Sequence, residues 1–287
     1  MSKKDKILRP VAGVDYEQLA SGAIRIAGFN TPPTELGRES ELKAPDYLGL
    51  VDHALAIDDK KLYEKLLAQE EERFGLNYRK LKGLKRSLIV LLQGRDGAGK
   101  SGCAKVIQEA TDFDAKNFLW VPIGPPTDDE LEHGHLWRFY AFDRMPRHGQ
   151  VRIFDRSWAE RGLVEPVMDI INEKTLVNSY AELRTHEWLL ERQGAIVVKF
   201  WMDITKGEQK KRFKDRQDDK PWKYGESDKV AREHWDDYTR YANLLFHYTG
   251  TPYCPWFILS SEDKRYSRVT SLAILNEAIE DALAGRS

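Results

Sequence analysis

The chain has 287 residues, 41% hydrophobic and 32% charged, which fits a globular protein with a real core and excludes an intrinsically disordered one. Its formal net charge of −1 argues against a nucleic-acid partner, which calls for a clear positive excess. No apolar run approaches the roughly 18–20 residues that span a bilayer, no apolar signal segment follows the charged start, and the two cysteines, Cys103 and Cys254, give neither a disulfide framework nor zinc spacing, so the expectation is a cytoplasmic protein with no membrane partner.

Residues 1–58 are polar and punctuated by Pro10, Pro32, Pro33 and Pro45, and read as an extended N-terminal arm with at most short helical pieces. From 59 to 82 the spacing of Leu62, Leu66, Leu67, Phe74, Leu76 and Leu81 predicts an amphipathic helix, with Gly75 as a candidate break. Such a helix covers a core or docks on a partner subunit. Ser87–Gln93 is a nearly all-apolar run that turns through Gly94 and Gly97 into a helix-compatible stretch from Lys100 to Ala110, which is how a buried parallel strand opens a βαβ unit. Strand-like runs recur at 118–121, 151–155, 195–201 and 256–260. Helical stretches lie near 128–143, 158–171, 174–193, 205–217, 226–247 and 266–284. This alternation predicts an α/β fold, a five-stranded parallel sheet with helices on both faces, in a domain covering 59–287.

The glycines mark the chemistry. Gly94-Arg95-Asp96-Gly97-Ala98-Gly99-Lys100-Ser101 is a G-x-x-x-x-G-K-S loop between a strand and a helix, the context in which that motif binds phosphate. Glycines let backbone amides turn inward around an anion, and the helix N-terminus adds its dipole at the same point. Lys100 supplies an ammonium for the transferring phosphoryl group, and Ser101 can ligate Mg²⁺. Asp155 ends the third strand, where a metal-holding aspartate is expected. Asp96 lies inside the loop. An acid beside phosphate needs a cation, so Asp96 is read as a second metal ligand or as an orienter of the acceptor.

Three blocks together resemble the polyphosphate kinase 2 family. Gly94-Arg95-Asp96-Gly97-Ala98-Gly99-Lys100 fits its G-x-D-x-x-G-K loop. Asp155-Arg156-Ser157-Trp158 with Arg161 is similar to its D-R-S-W-x-x-R block. Pro126-Thr127-Asp128-Asp129-Glu130-Leu131 with Leu136-Trp137-Arg138 is similar to its P-T-x-E-E-L…L-W-R segment. The resemblance runs from about residue 60 to 283. The sequence departs from the family at Ala159, where an aromatic usually stands, and in the lid stretch Arg216–Lys223, which is shorter and reordered.

The resemblance implies a three-layer P-loop kinase fold with a helical lid at about 205–228. It also implies reversible, Mg²⁺-dependent transfer between inorganic polyphosphate and an adenine nucleotide (ADP to ATP, AMP to ADP), with Mn²⁺ as a substitute, by a homo-oligomer. Asp96, Lys100, Asp155 and Arg156 are then the catalytic residues, Asp96 and Asp155 holding the metal. Gly94, Arg95, Gly97, Ala98, Gly99, Lys100, Ser101, Arg156, Arg161, Arg212 and Arg216 bind phosphate, with Arg212 and Arg216 supplied by the lid. Lys206, Lys210 and Lys214 recur on one helical face beside them.

Other residues draw blander readings. His133 and His135 lack a third ligand at zinc spacing. Trp188, Trp235 and Trp256 are read as core, Cys103 as a packed small residue, Glu165 and Glu187 as ordinary helix acids, and His247 and Tyr248 carry no motif. Two alternatives stand beside the main reading: an ATP-dependent kinase for a small acceptor on the same fold, and a non-catalytic polyphosphate- or nucleotide-binding protein.

Overall fold

A computed structural model describes residues 16–28, 42–219 and 232–285. Five strands form the centre: β3 (Ser87–Gly94), β4 (Phe118–Pro122), β5 (Val151–Asp155), β6 (Ala195–Asp203) and β7 (Trp256–Ser260). All four of their pairings are parallel. Two short strands that the sequence reading missed, β1 (Tyr16–Gln18) and β2 (Ile24–Ile26), add antiparallel to the β7 edge. The sheet is therefore seven-stranded and mixed, in the order β1-β2-β7-β6-β3-β5-β4, rather than five-stranded and parallel.

Burial on both faces explains the unbroken apolar strands. In β3, Ile89 and Leu91 pack with Phe154, Trp158, Tyr180, Trp201, Phe246 and Trp256 on one side. Leu88, Val90 and Leu92 pack with Ile107, Ile153, Val198, Leu272 and Leu275 on the other. Alternation along the strand sends successive side chains to opposite faces, and each such side chain contributes about 1.5–3 kcal/mol of burial.

The helices are α1 (Lys60–Gly83), α2 (Lys100–Ala110), the single turns α3 (Asp128–Leu131), α4 (Trp137–Tyr140) and α5 (Val164–Val167), then α6 (Glu173–Arg192), α7 (Lys206–Asp219), α8 (Trp235–Thr249) and α9 (Lys264–Leu283). Helix α1 starts on the Asp59 cap and runs through Gly75 without a break. Its Arg73 donates to both carboxylate oxygens of Glu280 on α9, at 2.8 and 2.6 Å, and Asn77 donates to Asn276 and Glu280. This tertiary support outweighs the glycine's helix penalty of about 1 kcal/mol.

Two expected helices are broken. Residues 128–143 form α3, α4 and a 3-10 turn in which Phe142 adopts φ 59°. Residues 158–171 form a 3-10 turn at Trp158–Gly162 followed by α5. Trp256 is fully buried, as expected of a core residue, whereas Trp188 is 47% exposed. Residues 220–228 of the expected lid, with Lys220–Lys223 of its divergent stretch, lie outside the described residues.

Candidate active site

Parallel pairing brings the carboxyl ends of β3, β5 and β6 to one edge, with Leu92 level with Asp155 and Gly94 level with Met202. Gly94 turns at φ 143°, and a Cβ there would collide with the Met202 carbonyl. Only glycine lets the loop leave the sheet so close to β6. Gly99, at φ 92°, caps α2, whose first amides have no acceptor within the helix and open toward the cleft. The Lys100 ammonium folds back onto the carbonyls of Gly94 and Arg95, at 2.9 and 3.2 Å, and stands 3.9 Å from Asp96.

A cleft of about 720 Å³ opens over the loop. Gly97, Gly99, Lys100, Ser101, Asp96, Asp155 and Arg156 line it, together with Arg212, Asp215 and Arg216 of α7 and Lys264 and Arg268 of α9. Ser101 Oγ donates to Asp155 Oδ2 at 3.5 Å, and Arg156 Nη2 donates to Asp96 Oδ1 at 3.1 Å. A narrower pocket shares Asp96 and Arg156 with the cleft and adds Glu160, Leu163, Val164, Trp201, Gln209 and Tyr238. Burial pushes the Glu160 carboxyl up to about 7, while Arg156 and Lys100 pull it the other way.

Two carboxylates and a hydroxyl around a wet cleft suit Mg²⁺, which takes few protein oxygens and leaves the remaining positions to water and substrate phosphate. Asp96, Asp155 and Ser101 are the residues present for that ion.

Several expected phosphate contacts are engaged elsewhere. The Arg95 guanidinium lies 3.6 Å over the Trp235 ring and donates to Asp203 Oδ1, Thr239 Oγ1 and the Trp235 carbonyl. Its amide donates to the Met202 carbonyl, and the Ala98 amide to the Arg95 carbonyl. Both residues shape the loop from behind. Arg161 donates to Glu165 at 2.6 Å and lines neither compartment. Arg212 is 7% exposed and donates to Glu208, the Gly97 carbonyl and the carbonyls of Ser261 and Glu262, so it ties α7 to the loop and to the chain after β7. Arg216 lines the cleft, while Lys206, Lys210 and Lys214 face solvent.

Sequence reasoning missed Glu160, Lys264 and Arg268. Glu160 was visible inside the 155–161 block, whereas α9 carries no motif. Glu187, read as an ordinary helix acid, is buried: it pairs with Lys199 Nζ at 2.6 Å and accepts from Trp158 Nε1 at 3.1 Å. It thereby anchors the turn that carries Arg156. His133 stacks on Trp137, and His135 bonds the Trp158 carbonyl and faces Glu165.

A mixed sheet of this order, with helices on both sides and a strand–glycine loop–helix junction at its carboxyl edge, defines an α/β protein. Residues 57–286 match the family model described as Polyphosphate kinase 2 (PPK2), and the chain belongs to that family. It is 32% identical to a polyphosphate:AMP phosphotransferase of Pseudomonas syringae pv. tomato over 96% of this chain and 57% of that protein. The chain thus spans little more than half the length of that curated relative. It is 30% identical to an AMP/ADP-polyphosphate phosphotransferase of Meiothermus ruber over 92% of both chains. Among solved structures, a polyphosphate kinase 2 from Arthrobacter aurescens TC1 superposes with TM-score 0.76 at 30% identity, over 87% of this chain and 92% of that one.

Proposed function

We propose that the chain transfers a phosphoryl group reversibly between inorganic polyphosphate and an adenine nucleotide, ADP to ATP or AMP to ADP, with Mg²⁺ bound at Asp96 and Asp155. One observation carries this reading. The cleft is lined by six cations, Lys100, Arg156, Arg212, Arg216, Lys264 and Arg268, against three carboxylates, Asp96, Asp155 and Asp215. Two of those carboxylates are the metal ligands in this reading. Even with Arg212 set against Glu208, the surplus positive charge calls for a polyanion longer than a single phosphate. The relatives from Pseudomonas syringae and Meiothermus ruber, named for the same chemistry, add support.

The chain's own groups act by position and charge. Amides of the loop and of the α2 start receive the transferring phosphate, and Lys100 moves from the loop carbonyls onto its oxygens. Arg156, at the junction of cleft and narrow pocket, neutralises charge as it passes between donor and acceptor. Mg²⁺, when bound, neutralises phosphate oxygens and aligns donor with acceptor. No covalent enzyme intermediate is required. One phosphoanhydride replaces another, so the reaction runs in both directions.

In this reading residues 59–287 are the catalytic unit, 205–228 its lid and 1–58 an arm. The chain works in the cytoplasm; no helix among the described residues is long and apolar enough to cross a membrane. Exposed Leu62, Leu76 and Leu84 along α1 favour a homo-oligomer, which light scattering would measure. The decisive assay mixes the purified chain, Mg²⁺ and polyphosphate with AMP, ADP or GDP, without ATP, and resolves the products by chromatography. Formation of ADP or ATP is expected. Turnover with ATP as the sole donor would favour a small-molecule kinase. Polyphosphate binding without turnover would favour a binding protein.

A further inference from the structure

The segment between residues 42 and 59 leads into α1, yet it runs over the carboxyl edge of the sheet. It is held there by contacts with the far end of the chain. Tyr47 OH bonds His247 Nδ1 at 2.9 Å, and Leu48 N donates to Asn243 Oδ1 at 3.2 Å, both on α8. Arg265 donates to the carbonyls of Ile57 and Asp58. Between these anchors sits His53, its side chain 24% exposed.

Its imidazole has acidic neighbours on several sides. Nε2 lies 3.3 Å from Asp203 Oδ2, at the end of β6. Nδ1 lies 3.9 Å from Glu262 Oε2 and 3.4 Å from Ser260 Oγ, at the end of β7. Asp52 adds negative charge from the same segment. Arg95 sits on the opposite oxygen of Asp203.

Each carboxylate has a second task. Asp203 Oδ1 accepts from Arg95 Nε at 3.2 Å and from Trp201 Nε1 at 3.0 Å, and Arg95 is the second residue of the phosphate loop. Glu262 accepts from Thr205 Oγ1 at 2.7 Å and from Thr205 N at 3.0 Å, and Thr205 Oγ1 accepts from Glu208 N in the first turn of α7. One carboxylate therefore holds the loop and the other braces Thr205, which caps the lid helix, and His53 stands between them.

We propose that His53 is a positioning residue: its protonated ring ties Asp203 to Glu262 and so, beside the Arg212 tie, couples the phosphate loop to the start of the lid helix, and losing the proton loosens that coupling. A charged imidazole donates from both nitrogens, from Nε2 to Asp203 and from Nδ1 to Ser260 Oγ, and its charge attracts Glu262 at 3.9 Å. A neutral one donates from a single nitrogen, leaving two carboxylates facing each other across an uncharged ring. Hydrogen bonding to Asp203 raises the imidazole pKa above its ordinary 6.5, and burial opposes this. The sign follows. The clamp is complete at and below about pH 6.5 and loosens as pH rises through the raised value.

The inference rests on the loop being the site of phosphoryl transfer, but its test does not require turnover. Hydrogen exchange of the full chain, corrected for intrinsic rates, is compared at about pH 6 and about pH 9. Protection of residues 95–101 and 205–212 should fall together in the wild type. The fall should be about tenfold for each pKa unit that the clamp adds. In His53→Gln both segments should already be loose at the lower pH. Unchanged wild-type protection between the two conditions overturns the proposal, and so does wild-type protection in His53→Gln at the lower pH. The wild-type comparison stands even if the variant folds poorly. In turnover, KM for polyphosphate should rise with pH in the wild type and stay flat in His53→Gln, with kcat less affected. A chain that never turns over but shows the exchange response would sink the functional reading alone. An active chain with no exchange response would sink this one alone.

Discussion

Arg156 and Asp96 close the floor of the site from two strands: the guanidinium at the end of β5 meets the loop carboxylate after β3 at 3.1 Å. Arg156 sits at φ 66°, a left-handed turn that costs a non-glycine residue about 1–2 kcal/mol and aims its side chain back at the loop. In this pairing Arg156 occupies a carboxylate that the proposed function also assigns to Mg²⁺. Asp96→Asn and Asp155→Asn should each lower turnover by about a hundredfold or more, with an unchanged circular dichroism spectrum. Chelation should stop turnover reversibly. Retained activity in either variant would remove that residue from the metal site.

Lys264 and Arg268 stand one turn apart on α9 and extend the positive lining away from the loop. Burial together with the charges of Arg212 and Arg268 holds the Lys264 ammonium below its ordinary value, against the opposing pull of Glu208 and Asp215. Replacing both by Ala should raise KM for long polyphosphate more than for tripolyphosphate, flatten its salt dependence and leave kcat nearly intact. Equal effects on both chain lengths would place these residues off the donor path.

Arg212 acts as a staple. Four acceptors from α7, the loop and the chain after β7 take its hydrogens in a nearly dry setting. Arg212→Ala should cost about 2–4 kcal/mol in urea unfolding, because it strands buried carbonyls as well as Glu208. Arg212→Lys should recover little, since an ammonium cannot reproduce the planar fork.

The Glu187–Lys199 pair is 2% and 0% exposed. Glu187→Ala should destabilise by about 3–5 kcal/mol by leaving a buried ammonium alone. The double change Glu187→Leu with Lys199→Met should be milder than either single change. It should still reduce turnover, because Trp158 loses its acceptor and the Arg156 turn its anchor. Denaturant midpoints and initial rates measure the two effects separately.

His135 and His186 are both pushed down to about 4, by burial first, then by Arg161 for His135 and by His135 for His186. Unfolding restores their ordinary value of 6.5, so the unfolded chain binds more protons between those values. The contribution of these two histidines to stability should therefore be full above about pH 6.5 and fall toward pH 4, each pKa unit of separation being worth about 1.4 kcal/mol. His186→Gln should flatten that slope in melting curves taken across the range.

β3 and β7 were legible because double-sided burial leaves an apolar run, the other three because largely apolar runs recur between helical stretches, and the loop because its glycines stand between a strand and a helix. β1 and β2 were not. Three residues carry no periodicity, and their pairing depends on β7, far along the chain. The direction of Arg95 was not legible because neighbourhood in sequence does not fix it; Asp203 decides where its guanidinium goes. Glu187 could have been found, for it falls on the stripe Leu176, Tyr180, Leu183, Glu187, Leu190, at core spacing. Lys264 and Arg268 could not, since folding alone brings α9 to the loop.

The antiparallel pair β1–β2 has a practical cost for anyone trimming the chain to its family-matched core. Ile24, Arg25 and Ile26 occupy the outer hydrogen-bonding side of β7. A version starting at residue 57 would present Trp256, Phe257 and Ile258 as a bare apolar template, inviting intermolecular β-pairing and precipitation, and would lose Tyr47 and Leu48 from the core as well.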